Sequence, residues 1–181
     1  MTAINVDPKE MARLVRRRTG RKLPLDITSL VEKHGIKIVE REVERSVTGV
    51  LVIDSTPVTI LVNRAFDAKE QRFSLAHLLG HFVLHKKLSP MFVDFLRPTE
   101  HKRNDRVRQS LEREADEFAA ELLMPEDIIR KYVIEKPCEV GAGSVIHPIA
   151  ARFGVSELTL ALRLSQFGVI SPSGSIYSGQ F

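Results

Sequence analysis

Residues 63–85 read NRAFDAKEQRFSLAHLLGHFVLH, and the fold turns on this stretch. Asp67 is a good helix N-cap, and Glu70, three residues on, completes a capping box. From there to Pro90 no proline interrupts the chain. Phe73, Ala76, Leu79, Val83 and Leu84 recur at helical spacing. The pattern predicts one long helix entered from a strand. On it His77 and His81 stand one turn apart on one face, with His85 a turn further on. Imidazoles at i and i+4 converge on one point, which is how a helix offers two nitrogens to zinc. Gly80 costs about 1 kcal/mol in a helix interior. Its place beside the histidines predicts that another segment approaches closely there.

Zinc hydrolases with such a helix carry H-E-x-x-H, the glutamate serving as general base. Here the run is His77-Leu78-Leu79-Gly80-His81. The imidazoles are present and the base is not.

At 181 residues the chain suits one domain and can bury a sizeable core. Hydrophobic content of 43% with 28% charged residues places it among ordinary globular proteins. The net charge of +4 is concentrated in Arg16, Arg17, Arg18, Arg21 and Lys22 and in the 86–108 region. The first cluster reads as a solvated helix end, with nucleic-acid contact as the alternative. One cysteine, Cys138 in KPCEVGAG, excludes an internal disulfide framework, fits a reducing cytosol and reads as a structural or loop residue. No apolar run approaches the ~20 residues that span a bilayer, and no signal-peptide core is visible. A cytoplasmic protein without membrane attachment is expected.

Taken in order, Asp7-Pro8 opens a first helix with Met11, Leu14 and Val15 as its apolar stripe, ended by Gly20. A short helix follows Pro24, with Asp26 or Thr28 at its start and Gly35 as its cap. His34, just before Gly35, interacts with the helix dipole. Residues 36–41, 47–53 and 58–63 alternate as strands and predict a three-stranded antiparallel sheet. Met91, Phe92, Val93, Phe95 and Leu96 are too apolar for a linker and read as core packing, a short helix or a cleft-covering flap. A second strong helix runs from Arg106 to Met124 and stops at Pro125. Further helices follow to about Ile134, at 148–153 and at 157–166. The Ser/Gly-rich end from Ser171 reads as a tail or edge strand.

Zinc in a catalytic site takes three protein ligands, so a third must come from elsewhere. Glu112 and Asp116 share a face of the second strong helix. They read as a metal ligand and as a carboxylate that fixes the tautomer of a ligand histidine. The same E-R-E-A-D-E run also reads as an exposed charged face. Glu114 is the reserve acid. His85 reads as a buried polar residue, or as a further ligand.

The segments QRFSLAHLLGHFVLH and EREADEFAAELLMP, in that order, resemble the ImmA/IrrE family of zinc metallopeptidases, typically R-F-x-x-A-H-E-x-G-H-x-x-x-H followed by E-x-x-A-[ND]-x-F-A-x-x-L-L-M-P. The resemblance covers most of the chain, through Phe153–Ser156 and Arg163-Leu164. It implies an α+β, zincin-like fold: a small antiparallel three-stranded sheet packed on a zinc-binding helix pair, with additional C-terminal helices. It implies a metallopeptidase-like unit over 1–135, with 136–181 as a helical segment and tail packed on the same domain. His77, His81 and Glu112 map to the ligands of one zinc ion, and the catalytic glutamate falls at Leu78. The implied partner is a helix-turn-helix repressor, an extended segment of which would add to a strand at Thr59–Asn63.

Three readings of Leu78 stay open: a pseudopeptidase that works by binding, an active enzyme using Glu114 as base, and an introduced inactivation. Residues 147–166 also look like a helix-turn-helix, with Arg152 and Arg163 available for phosphate, so direct DNA binding is the competing function.

Overall fold

The computed structural model describes residues 6–96 apart from 18 and 21, residues 105–134 and residues 143–168. Cys138 and the stretch from Ser171 lie outside these residues. The predicted long helix forms as α3 (Ala68–His85). The Asp67 carboxylate accepts from the amides of Lys69 and Glu70, and the Glu70 carboxylate accepts from the Asp67 amide, which is the expected capping box. Every residue from Ser74 to His81 is buried. Helix α3 is therefore no two-faced surface helix: a sheet covers one side and a second long helix the other.

Two short helices, α1 (Pro8–Arg17) and α2 (Ile27–Lys33), precede the sheet. On α1 the buried residues are Ala12, Val15 and Arg16, whose guanidinium donates to the Leu122 carbonyl rather than facing solvent as the basic helix end predicts, while Leu14 is half exposed, so the inward apolar stripe is narrower than the sequence suggests. Asp26 caps α2 through the Ser29 amide, and His34 closes its last turn by a 2.8 Å hydrogen bond between Nδ1 and the Leu30 carbonyl.

The sheet has four strands, β1 (Lys37–Arg41), β2 (Val47–Val52), β3 (Thr59–Asn63) and β4 (Met91–Phe95), in the order β1-β3-β2-β4. The mixed α and β class stands as expected, with one strand more. The pairing differs as well. β1 runs parallel to β3, while β2 is antiparallel to both β3 and β4. Strand β3 is thus interior, flanked by β1 and β2, and Thr59–Asn63 cannot receive a partner strand. The outermost strand beside α3 is β4, built from the apolar stretch read as core packing, helix or flap. Phe92 does enter the core, at 7% exposure. A bulge at Thr48 shifts the β2–β4 register, so that Gly49 pairs with Asp94.

Asn63, fully buried at the end of β3, binds the β1–β2 connection: its Nδ2 donates to the carbonyls of Val43, Glu44 and Val47, and its Oδ1 accepts from Ala65. This cluster fixes the direction in which the chain leaves the sheet for α3. From α3, Arg72 donates to the carbonyls of Gly154 and Leu25, tying the helix to both ends of the molecule.

Helix α4 (Arg106–Leu123) packs along α3, and α5 (Glu126–Ile134), α6 (Gly143–Phe153) and α7 (Glu157–Gln166) complete the described chain. Helices α6 and α7 join at Gly154 with φ +67°, as a helix-turn-helix pair would. Arg163, however, is not available for phosphate. It is buried at 2% exposure and pairs with Glu121, itself 1% exposed and also held by Arg13 at 2.8 Å. Arg152 packs over the Tyr132 ring and donates to its hydroxyl. No helix among the described residues is long and apolar enough to cross a membrane.

Removing one member of a buried ion pair strands the other charge. Glu121→Ala should therefore lower the unfolding free energy by about 3–5 kcal/mol in urea titration, and a loss below about 1 kcal/mol would show that the α4–α7 tie is not electrostatic.

Candidate metal centre

Helix periodicity brings His77 and His81 to the same side of α3, facing α4. The two helices cross at Gly80. A Cβ built there would lie 3.0 Å from the Phe118 ring and 3.3 Å from the Ala115 backbone, which is the close approach that Gly80 predicts. Three residues before Ala115 and one after it, Glu112 and Asp116 are delivered to the histidines.

His77 Nε2 lies 3.0 Å from His81 Nε2, and Glu112 Oε2 lies 3.4 and 3.8 Å from those two nitrogens. Among the described residues these three side chains place their ligand atoms within 4.8 Å of one another. The far nitrogens are held too. His77 Nδ1 meets Asp116 Oδ1 at 2.8 Å. His81 Nδ1 meets His85 Nδ1 at 3.1 Å, and His85 Nε2 meets Glu114 Oε2 at 3.2 Å, whose other oxygen accepts from the Ser110 hydroxyl. One tautomer set satisfies the whole chain: His77 and His81 carry hydrogen on Nδ1, and His85 carries it on Nε2. The Phe92 ring stacks on His81, with centroids 4.3 Å apart.

Burial is the largest influence on all three rings and disfavours the imidazolium. At His77 it is outweighed by the Asp94 charge and by the hydrogen-bonded Asp116 and Glu112 carboxylates, and the pKa is pushed up to about 10. At His81 burial prevails over Glu112, helped by the neighbouring His77, and the pKa falls to about 4. His85 is also lowered by burial, against the pull of Glu114. These shifts favour positive charge on His77 and a neutral His81.

Beside this group opens a cavity of about 810 Å³. Its walls are Phe73, Ser74 and His77 of α3, Asp94–Leu96, Glu112, Arg113 and Asp116 of α4, and Leu158 and Thr159 of α7. Leu78 is fully buried and packs toward Gly49, where an added Cβ would meet its Cδ1 at 2.8 Å. Glu114, the reserve base, is engaged by His85 and Ser110 away from the cavity walls. The carboxylate that sequence reading missed is Asp94. Its signal was the alternation in Met91–Phe95, which puts Phe92 and Asp94 on one strand face.

A family model described as the IrrE N-terminal-like domain, of the M78 peptidases, matches residues 31–165. The chain belongs to this metallopeptidase family. It is 30% identical over 130 residues to Metallopeptidase ImmA of Bacillus subtilis (strain 168), covering 72% of this chain and 69% of the relative. In fold it is similar to a Mycobacterium tuberculosis transcriptional regulator, with TM-score 0.59 and 19% identity over 88% of this chain. It spans about half of that structure, 47%.

Membership implies a metal ion, and the donor set of this IrrE-like domain fits one: two imidazole nitrogens and a carboxylate oxygen, each oriented by a further hydrogen bond. A bound cation requires both rings neutral at Nε2. With His77 protonated up to about 10 and His81 neutral down to about 4, loading at pH 7.5 should release about one proton per ion. Titration calorimetry in two buffers of different ionisation enthalpy measures this directly. Affinity should weaken as pH falls, and release of no proton would contradict the charge assignment.

Proposed function

We propose that this chain is a zinc-dependent regulator that grips an extended segment of a helix-turn-helix repressor in the cleft beside β4, with hydrolysis weakened or lost because Leu78 replaces the general base. The observation that carries the reading is the His77–His81–Glu112 group, its two rings buried and Glu112 half-buried, opening onto a peptide-sized cavity, with leucine at the position after the first histidine. Two imidazoles and one carboxylate are the donor set of catalytic zinc, and zinc bound there would polarise a scissile carbonyl and acidify a water.

The chain's own residues do the rest. Asp116 and the His85–Glu114 pair hold the ligand rings in their tautomers. Phe73, Phe95, Leu96 and Leu158 give the cleft apolar walls, which favour a partner segment with large apolar side chains. Leu158 is 71% exposed, an apolar surface that bound peptide would cover. Because β3 is interior, the segment lies along the β4 side of the sheet. Burial of Arg163 counts against phosphate contact by α7 and so against the DNA-binding alternative.

The test is capture of helix-turn-helix repressors by the zinc-loaded protein, any such repressor encoded near its gene being tried first. Binding should be lost in Leu158→Glu, and the captured repressor should stay largely intact. Ser74, one turn before Leu78, lines the cavity, so a glutamate at 78 reaches the cavity floor beside it. Leu78→Glu should then raise cleavage by ~10-fold or more. No capture by the unaltered protein, or cleavage equal in the two forms, overturns the reading.

A further inference from the structure

Asp94 is on β4, a different element from the helices that carry His77, His81 and Glu112. Its position follows from a match of repeats. Phe92 stacks on His81 at 4.3 Å and lies 6.2 Å from His85, so the Met91 end of β4 points toward the C-terminus of α3. Two residues along a strand advance roughly 6.6–6.8 Å, and four along a helix roughly 6 Å. Asp94, on the same strand face as Phe92, therefore falls level with His77. Both residues line the same cavity. No hydrogen bond among the described residues engages its carboxylate. Across the sheet Asp94 pairs with Gly49, and next to Gly49 lies Ser74, a cavity-lining residue 2% exposed whose buried hydroxyl has no hydrogen-bond partner among the described residues.

This carboxylate has two possible roles, ligand or proton acceptor. A ligand would join the 4.8 Å group, and Asp94 stands outside it. A carboxylate one water further out is where a proton acceptor belongs.

We propose that Asp94 is the proton acceptor for the attacking water, supplied from the sheet in place of the helix residue that Leu78 replaces. The inference rests on the peptidase reading of the site. Asp94 takes one proton from the water as its oxygen bonds to the scissile carbonyl carbon. It returns that proton to the amide nitrogen as the carbon–nitrogen bond breaks, leaving a carboxyl terminus and a free amine, with nothing oxidised or reduced. Weak hydrolysis then persists without a glutamate at 78, and its rate depends on Asp94.

The experiment uses the zinc-loaded full chain as wild type, Asp94→Asn and Asp94→Ala. Zinc affinity is read by competition with a chromophoric chelator. Binding of acetohydroxamate reports the acceptor, since this probe gives its proton to a neighbouring carboxylate. Both variants should weaken acetohydroxamate by ~10-fold or more while zinc affinity changes by less than about threefold, and residual repressor cleavage should fall in parallel. Unchanged hydroxamate binding overturns the proposal, as does a zinc affinity reduced ~10-fold or more, which would make Asp94 a ligand. Failure of the wild type to capture repressor would count against the functional reading alone, because the hydroxamate result involves no repressor.

Discussion

Two helices can bring a carboxylate to a pair of buried imidazoles only if their backbones come close, and here they do so at Gly80 against Ala115. Any side chain at 80 would meet backbone at 3.3 Å, which the opposite helix cannot withdraw without moving as a whole. Glu112 and Asp116 flank that contact, so the same crossing sets the distance of one from both Nε2 atoms and of the other from His77 Nδ1. The conformational cost of glycine in a helix interior is set against the geometry of the whole centre. The sheet contributes from the other side, where Gly49 leaves room for Ser74 and Leu78.

The electrostatics follow from that packing. Two rings with Nε2 atoms 3.0 Å apart cannot both be charged in a buried site, and cannot both present lone pairs without a proton or a metal between them. Acids near His77 favour the charge on that ring, and burial keeps His81 neutral. A cation held by Glu112 and both nitrogens would satisfy the same demand, since the three ligand atoms lie within 4.8 Å of one another. The outer partners, Asp116 and the His85–Glu114 pair, fix which ring nitrogen faces inward.

Much of this is legible in the sequence because helices have a local period. The capping box at Asp67 and Glu70, the facing of His77 and His81, the approach at Gly80 and the pairing of Glu112 with Asp116 on one face all follow from spacing within a few residues. What failed to show depends on pairing between distant segments. Nothing local in residues 37–41 says that β1 joins β3 in parallel rather than β2 in a hairpin. The Met91–Phe95 run is apolar enough for several fates, and only its partner β2 makes it a strand. Asp94 went unnoticed for the same reason, since only the strand pairing brings it to the cavity that His77 also lines. Arg163 looked like a surface cation until Glu121, 42 residues earlier, claimed it.

The account depends most on His77, His81 and Glu112 meeting around a single ion. X-ray absorption at the zinc edge of the loaded protein tests this most directly. Two imidazoles and oxygen donors at about 2.0–2.2 Å, with no sulfur, are expected. A single imidazole, or a sulfur at about 2.3 Å from Cys138, would contradict it.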